Sequence, residues 1–168
     1  MILLTTLGFT PERRQNDLQD EATLKALFIY NFTKQIEWPI QSLSNPTFVI
    51  GIYGKTEVDE RLTQLLANRK IFDKSVEIHQ LKTLAEIENC QLVFISKGNA
   101  TKLSDLFETI KSKGVLIISE EKVMTYKGIC INIFEKEDRM TFELSEATLR
   151  KANFKVSKQL IDLSSSAK

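Results

Sequence analysis

The sequence predicts an α/β domain: a largely parallel central sheet with helices on both faces, closed by an antiparallel β-hairpin and a C-terminal helix. Three observations lead there. Short continuous apolar runs, Phe48–Tyr53, Leu92–Ile95 and Val115–Ile118, have the composition of strands covered on both faces. Segments with helical spacing separate such runs, so successive strands are joined by crossovers. After Gly128 the apolar period changes to two, the pattern of a hairpin.

The first helix starts at Glu21. Leu24, Leu27, Phe28, Phe32 and Ile36 recur at helical spacing. Ile29 and Tyr30 widen the stripe until Ala26–Phe32 is apolar most of the way round, so the helix is buried on more than one side, in a core or against a partner. Trp38-Pro39 ends it. The run Phe48–Gly54 is a buried strand. Residues 56–68 form a helix with Val58, Leu62, Leu65 and Leu66 on one face, and Val76, Ile78 and Leu81 mark a half-exposed strand. After the strand Leu92–Ile95, Leu103, Leu106, Phe107 and Ile110 mark a helix closed by Gly114, followed by the strand Val115–Ile118. Ile129, Ile131 and Ile133, the charged turn 135–139, and Met140, Phe142 and Leu144 make the hairpin. Ser145 caps a final helix in which Leu149, Ala152, Val156, Leu160 and Leu163 stand three and four apart.

Composition bounds the function. The chain has 168 residues, 42% of them apolar, enough for one ordinary domain with a real core. Residues 21–168 form that domain and residues 1–20 a lead-in. With 23 Lys+Arg against 22 Asp+Glu there is no long-range field to attract nucleic acid or an anionic membrane surface. No apolar run is long enough for direct insertion across a bilayer. The opening Met1–Phe9 reads either as an apolar tail or as part of an export signal whose basic region lies upstream; Arg13 and Arg14 stand on the wrong side of it. Cys90 and Cys130, 40 residues apart, match no zinc spacing and read as small buried hydrophobes, or as a pair if the fold brings them together.

Motifs for chemistry fail on inspection. Gly51-Ile52-Tyr53-Gly54-Lys55-Thr56 ends like a phosphate-binding loop but has two residues between its glycines where four are needed, so it reads as a tight turn. A receiver-type phosphoacceptor site needs carboxylates where this chain has Tyr53-Gly54-Lys55 and Ile95-Ser96-Lys97. His79 is the only histidine, which leaves no easy dyad or imidazole metal site. The carboxylates Glu120-Glu121 and Glu137-Asp138 read as solvated loop residues. Lys151, Lys155 and Lys158 read as the wet side of the last helix. Enzyme chemistry has no visible foothold, and no cofactor or metal is implied. Two site readings follow. Ile29, Tyr30 and Trp38 exceed what one core face requires and mark a partner or dimer interface, unless both faces of the helix are covered within one chain. In the alternative, a small ligand or nucleotide binds at the strand C-terminal ends, among Gly54, Lys55, Thr56, Ser96 and Lys97.

The stretch Lys25–Pro39, with its Phe32-x-x-x-Ile36-Glu37-Trp38-Pro39 element, resembles the opening helix of the YfiR family. Phe48–Gly54, Cys90–Ile95, the hairpin strands Lys127–Phe134 and Met140–Leu144, and the helix Ala152–Leu163 are similar to its following elements, in order, from about Glu21 to Leu163. The resemblance implies a small, non-enzymatic, exported protein of the bacterial cell envelope. The best-understood members dimerise, bind the periplasmic part of a membrane-bound diguanylate cyclase and hold cyclic-di-GMP production low. They also carry extra cysteines in disulfides, which this chain, with Cys90 and Cys130 alone, lacks.

Overall fold

A computed structural model of the chain describes residues 13–103, 110, 112–121 and 128–164. Its centre is a six-stranded sheet of β2 (Thr47–Tyr53), β3 (Ser75–Leu81), β4 (Leu92–Ile95), β5 (Leu116–Ser119), β6 (Ile131–Lys136) and β7 (Arg139–Leu144), in the order β3-β2-β4-β5-β6-β7. Every neighbouring pair from β3 to β6 is parallel, and β7 returns antiparallel on β6. All four residues of β4 and all four of β5 are buried, as continuous apolar runs require when both faces are covered. The hairpin turn at Glu137-Asp138 has positive φ at both positions, matching the twist of the strands it joins.

Alternate residues feed two cores. Ile50, Leu92, Phe94, Leu116 and Ile118 pack with α1 (Arg13–Gln35) and α2 (Val58–Leu66), which lie side by side on one face. Val93, Ile95 and Ile117 pack on the other face with Leu84 and Ile87 of a 3₁₀ segment, and with Ala100, Leu103 and Ile110. Leu103 and Ile110 are helical, as their spacing indicates. Leu106 and Phe107 of the same expected helix lie outside the described residues.

Three expectations are corrected. The first helix begins at Arg13, so its start lies inside the stretch read as lead-in. The last helix is not continuous. It divides into α3 (Glu146–Lys151) and α4 (Lys158–Leu163), with the short strand β8 (Lys155–Val156) between them. Asn153, at φ +62°, takes the left-handed turn that stops α3, a conformation Asn tolerates better than most residues. The break lets β8 pair antiparallel with β1 (Ile36–Glu37) and swings Phe154 and Leu160 onto the core beside Trp38. Lys151, Lys155 and Lys158 therefore share no helical face. Lys155 meets Glu37 at 2.7 Å and Lys158 meets Asp162 at 2.7 Å. Ser145 does cap α3, its side chain accepting from the Thr148 N–H.

Candidate functional site

Two recesses flank α1. The first lies beyond the C-terminal ends of β4 and β5, against β6 and β7. It is a crevice of about 430 Å³ lined by Glu21 and Lys25 of α1, Lys97, Glu120-Glu121 and residues of the hairpin. Lys25, Glu120 and Glu121 are already engaged there. Lys25 Nζ donates to Glu120 and meets Glu21 at 2.6 Å. Glu120 also accepts from the Lys97 N–H, and Glu121 from the Gly98 N–H. Asn132, fully buried in β6, accepts from Ser119 Oγ and the Glu121 N–H and donates to the Glu121 carbonyl and Glu143. Burial works against the Lys25 ammonium, but its bonds to Glu120 and Glu21 outweigh that and raise its pKa. Glu120, read as solvated, is therefore a mostly buried clamp whose side chain is 13% exposed. The signal for it was Lys25, a cation inside an apolar helical stripe that needs a counter-charge.

The strand order reverses at β2, which lies between β3 and β4, and ligands of open parallel sheets commonly bind at such a point. Here that point is closed by side chains. A Cβ on Gly54, at φ +92°, would stand 2.0 Å from Ser96 Oγ and 2.6 Å from Asn99 Nδ2. Asn99 donates to Ser96 Oγ and the Lys97 carbonyl, and Gln80 donates to the Gly54 carbonyl. Thr56 Oγ1 accepts from the Val58 N–H at the start of α2. Of Gly54, Lys55, Thr56, Ser96 and Lys97, only Lys97 reaches the crevice wall.

The second recess is a groove of about 360 Å³ between α1 and α2, lined by Thr23, Ala26, Leu27, Arg61, Gln64, Leu65 and Arg69. Leu27 in its α1 wall is 39% exposed, and Leu24, outside the lining on the same helix, is 46% exposed. Tyr30 is half-buried next along the helix, with Lys34 Nζ 4.1 Å and the Arg69 guanidinium 5.1 Å from its ring centre. Lys34, reinforced by Arg69, lowers the Tyr30 hydroxyl pKa. Arg61 donates from Nη1 to Gln64, while its buried Nε has no partner among the described residues. No carboxylate pairs with Lys34, Arg61 or Arg69 among the described residues.

Of the three residues expected at an interface, Tyr30 alone reaches the surface. Ile29 is fully buried in the sheet core, and Trp38 is 5% exposed, edge-on to Phe48 and Phe154 at 5.2 and 5.1 Å. The C-terminal elements cover that side of the first helix and its exit. Arg61 and Arg69 were not singled out in the sequence, because α2 and its C-terminal turn carry them among mixed charges.

The remaining titratable candidates are structural. Cys90 and Cys130 are free, buried, and on opposite faces of the sheet. Burial pushes their thiols up to about 11 and about 12. His79 stands exposed on the edge strand β3, 3.0 Å from Glu77. Among the described residues, no cluster of His, Cys, Asp and Glu is arranged to hold a metal, and no helix is long and apolar enough to cross a membrane.

Comparison with curated proteins finds no match. Comparison with protein families finds a match that runs from the buried stripe of α1 through the sheet and hairpin to the end of α4: over residues 22–165, the chain belongs to the YfiR/HmsC-like family.

Proposed function

We propose that this chain is a non-enzymatic regulatory protein of the bacterial cell envelope. It works in the periplasm as a homodimer and controls a membrane-bound signalling protein of the diguanylate cyclase type by direct binding. Family membership supports the pathway. The observation that carries the binding role is how the chain uses its polar and apolar groups. Lys25, Glu120, Glu121 and Asn132 at the strand ends bond one another and the backbone, which commits them to holding the fold. Along α1 and α2, by contrast, apolar and cationic groups face outward together: the exposed Leu24 and Leu27, and Tyr30 with Lys34 and Arg69 over its ring and no carboxylate beside them among the described residues. Surplus apolar and aromatic surface of this kind is characteristic of a protein interface.

A second reading keeps the crevice beside Lys97 as a small-ligand or nucleotide site. Two measurements separate the readings. Deletion of the gene should raise intracellular cyclic-di-GMP, and crosslinking in the native cells should recover a membrane-bound cyclase from the envelope fraction. Unchanged cyclic-di-GMP, with only the protein itself recovered from cytosol, overturns the regulator reading. Heat of binding in calorimetric titrations with nucleotides would favour the second.

A further inference from the structure

The groove between α1 and α2 combines three properties. Its floor is apolar, formed by Ala26, Leu27 and Leu65. Its walls are cationic, with Arg61 and Arg69 in the lining and Lys34 beyond Tyr30 on the same helix. Those cations lack carboxylate partners among the described residues, and the buried Arg61 Nε has no acceptor there. A buried donor without an acceptor is unfavourable, so the Arg61 guanidinium has bonding capacity that its own fold does not use. Guanidinium groups favour carboxylates, which they can grip at two points.

We propose that this groove docks an acidic amphipathic segment of the protein's partner, its apolar side chains on Leu27 and Leu65 and its carboxylates on Arg61 and Arg69. This rests on the partner-binding reading above and names the surface and the chemistry of what binds. The apolar floor decides between anions: a bare phosphate would satisfy the guanidinium groups but leave the leucines in water. Thr23 to Tyr30 spans about 10 Å along the helix axis, room for about two turns of a docked helix. Helix-in-groove recognition uses anchors at that spacing.

The test uses the full chain and a fluorescein-labelled peptide of alternating Leu-Leu and Glu-Glu pairs, with Gln-for-Glu and Lys-for-Glu versions as controls. The Glu peptide should bind at least about tenfold tighter than either control. Arg61→Gln/Arg69→Gln should abolish that preference while the far-UV circular dichroism shows the fold retained, and Leu27→Ser should weaken binding about tenfold. Equal binding of all three peptides, or an unaffected double variant, overturns the proposal. So does conversion of a dimer to monomer by the double variant, which makes a second copy the occupant. Loss of binding to phosphatidylglycerol vesicles in that variant, with no peptide binding by the wild type, overturns it in favour of a lipid surface. The parent reading is tested separately by crosslinking in cells. If wild type and double variant capture the cyclase equally, the groove assignment fails and the regulator reading stands. If neither captures it, the regulator reading fails while the peptide preference still decides the groove.

Discussion

At the residue scale, the sheet's two buried thiols and the Lys25 ammonium share one behaviour: each keeps its proton to a higher pH in the folded chain than in the unfolded one. Unfolded thiols ionise near 9.0 and an unfolded lysine near 10.5, so above about pH 9 the unfolded state binds fewer protons than the folded state. Stability contributed by these groups is complete below that point and falls as pH rises through the folded values. Denaturation midpoints should therefore decline steeply from about pH 9 upward, and Cys130→Ala should flatten the first part of the decline. A thiol-reactive dye at about pH 8 should label neither cysteine until the chain is unfolded, because the thiolate is the reactive form. Rapid labelling of Cys90 or Cys130 in the native state would contradict their burial. Lys25 yields a second expectation. Lys25→Met should cost about 2 kcal/mol, because it leaves the mostly buried Glu120 with only the Lys97 N–H. Adding Glu120→Gln to it should recover part of that loss, and a double-mutant cycle by chemical denaturation reads the coupling.

At the element scale, the strand-end turns show how tightly the fold closes its own switch point. Gly54 and Gly98 both sit at positive φ, but a Cβ on Gly98 meets nothing within 4 Å, whereas one on Gly54 collides with Ser96 and Asn99. Gly98→Ala should cost only the backbone term of about 1 kcal/mol. Gly54→Ala should cost about 2 kcal/mol more, since it also breaks the Asn99–Ser96 bond; equal melting temperatures for the two variants would show the turn to be open. This closure also explains what was legible in the sequence. The parallel strands and the hairpin could be read residue by residue, since each is a local pattern of apolar period. The division of the last helix could not, because the spacing of Leu149, Ala152, Val156 and Leu160 survives the turn at Asn153. What the spacing hides is that Val156 pairs with Ile36 across 120 positions, and that Phe154 covers Trp38. The same long-range contact converts Ile29 and Trp38 from apparent surplus into core, leaving Tyr30 outside. The groove cations were invisible for a related reason: only the packing of α1 on α2 puts Tyr30 beside Arg69.

At the scale of the whole molecule, a net charge of +1 conceals a separation of charge about α1. One flank of the helix faces a crevice in which the carboxylates Glu21, Glu120, Glu121 and Glu135 outnumber the cations Lys25 and Lys97. The other faces Arg61 and Arg69, with Lys34 farther along. Net charge governs attraction at long range, but within a Debye length of about 8 Å at physiological ionic strength an approaching partner meets the local cluster instead. An acidic segment is then drawn to the cationic flank and repelled from the other, so electrostatics selects orientation before the leucines make contact. Because exposed cations are screened by salt and buried apolar contacts are not, the two contributions separate by ionic strength. The association rate with the Glu-bearing peptide should fall about tenfold between about 20 mM and 300 mM salt, while the dissociation rate changes little. Arg61→Gln/Arg69→Gln should associate slowly at every salt concentration, with a nearly flat dependence. Leu27→Ser should keep the salt dependence and dissociate faster. Stopped-flow fluorescence on the three proteins measures both rates; a salt-independent association rate for the wild type would mean that the cations of the groove do not guide binding.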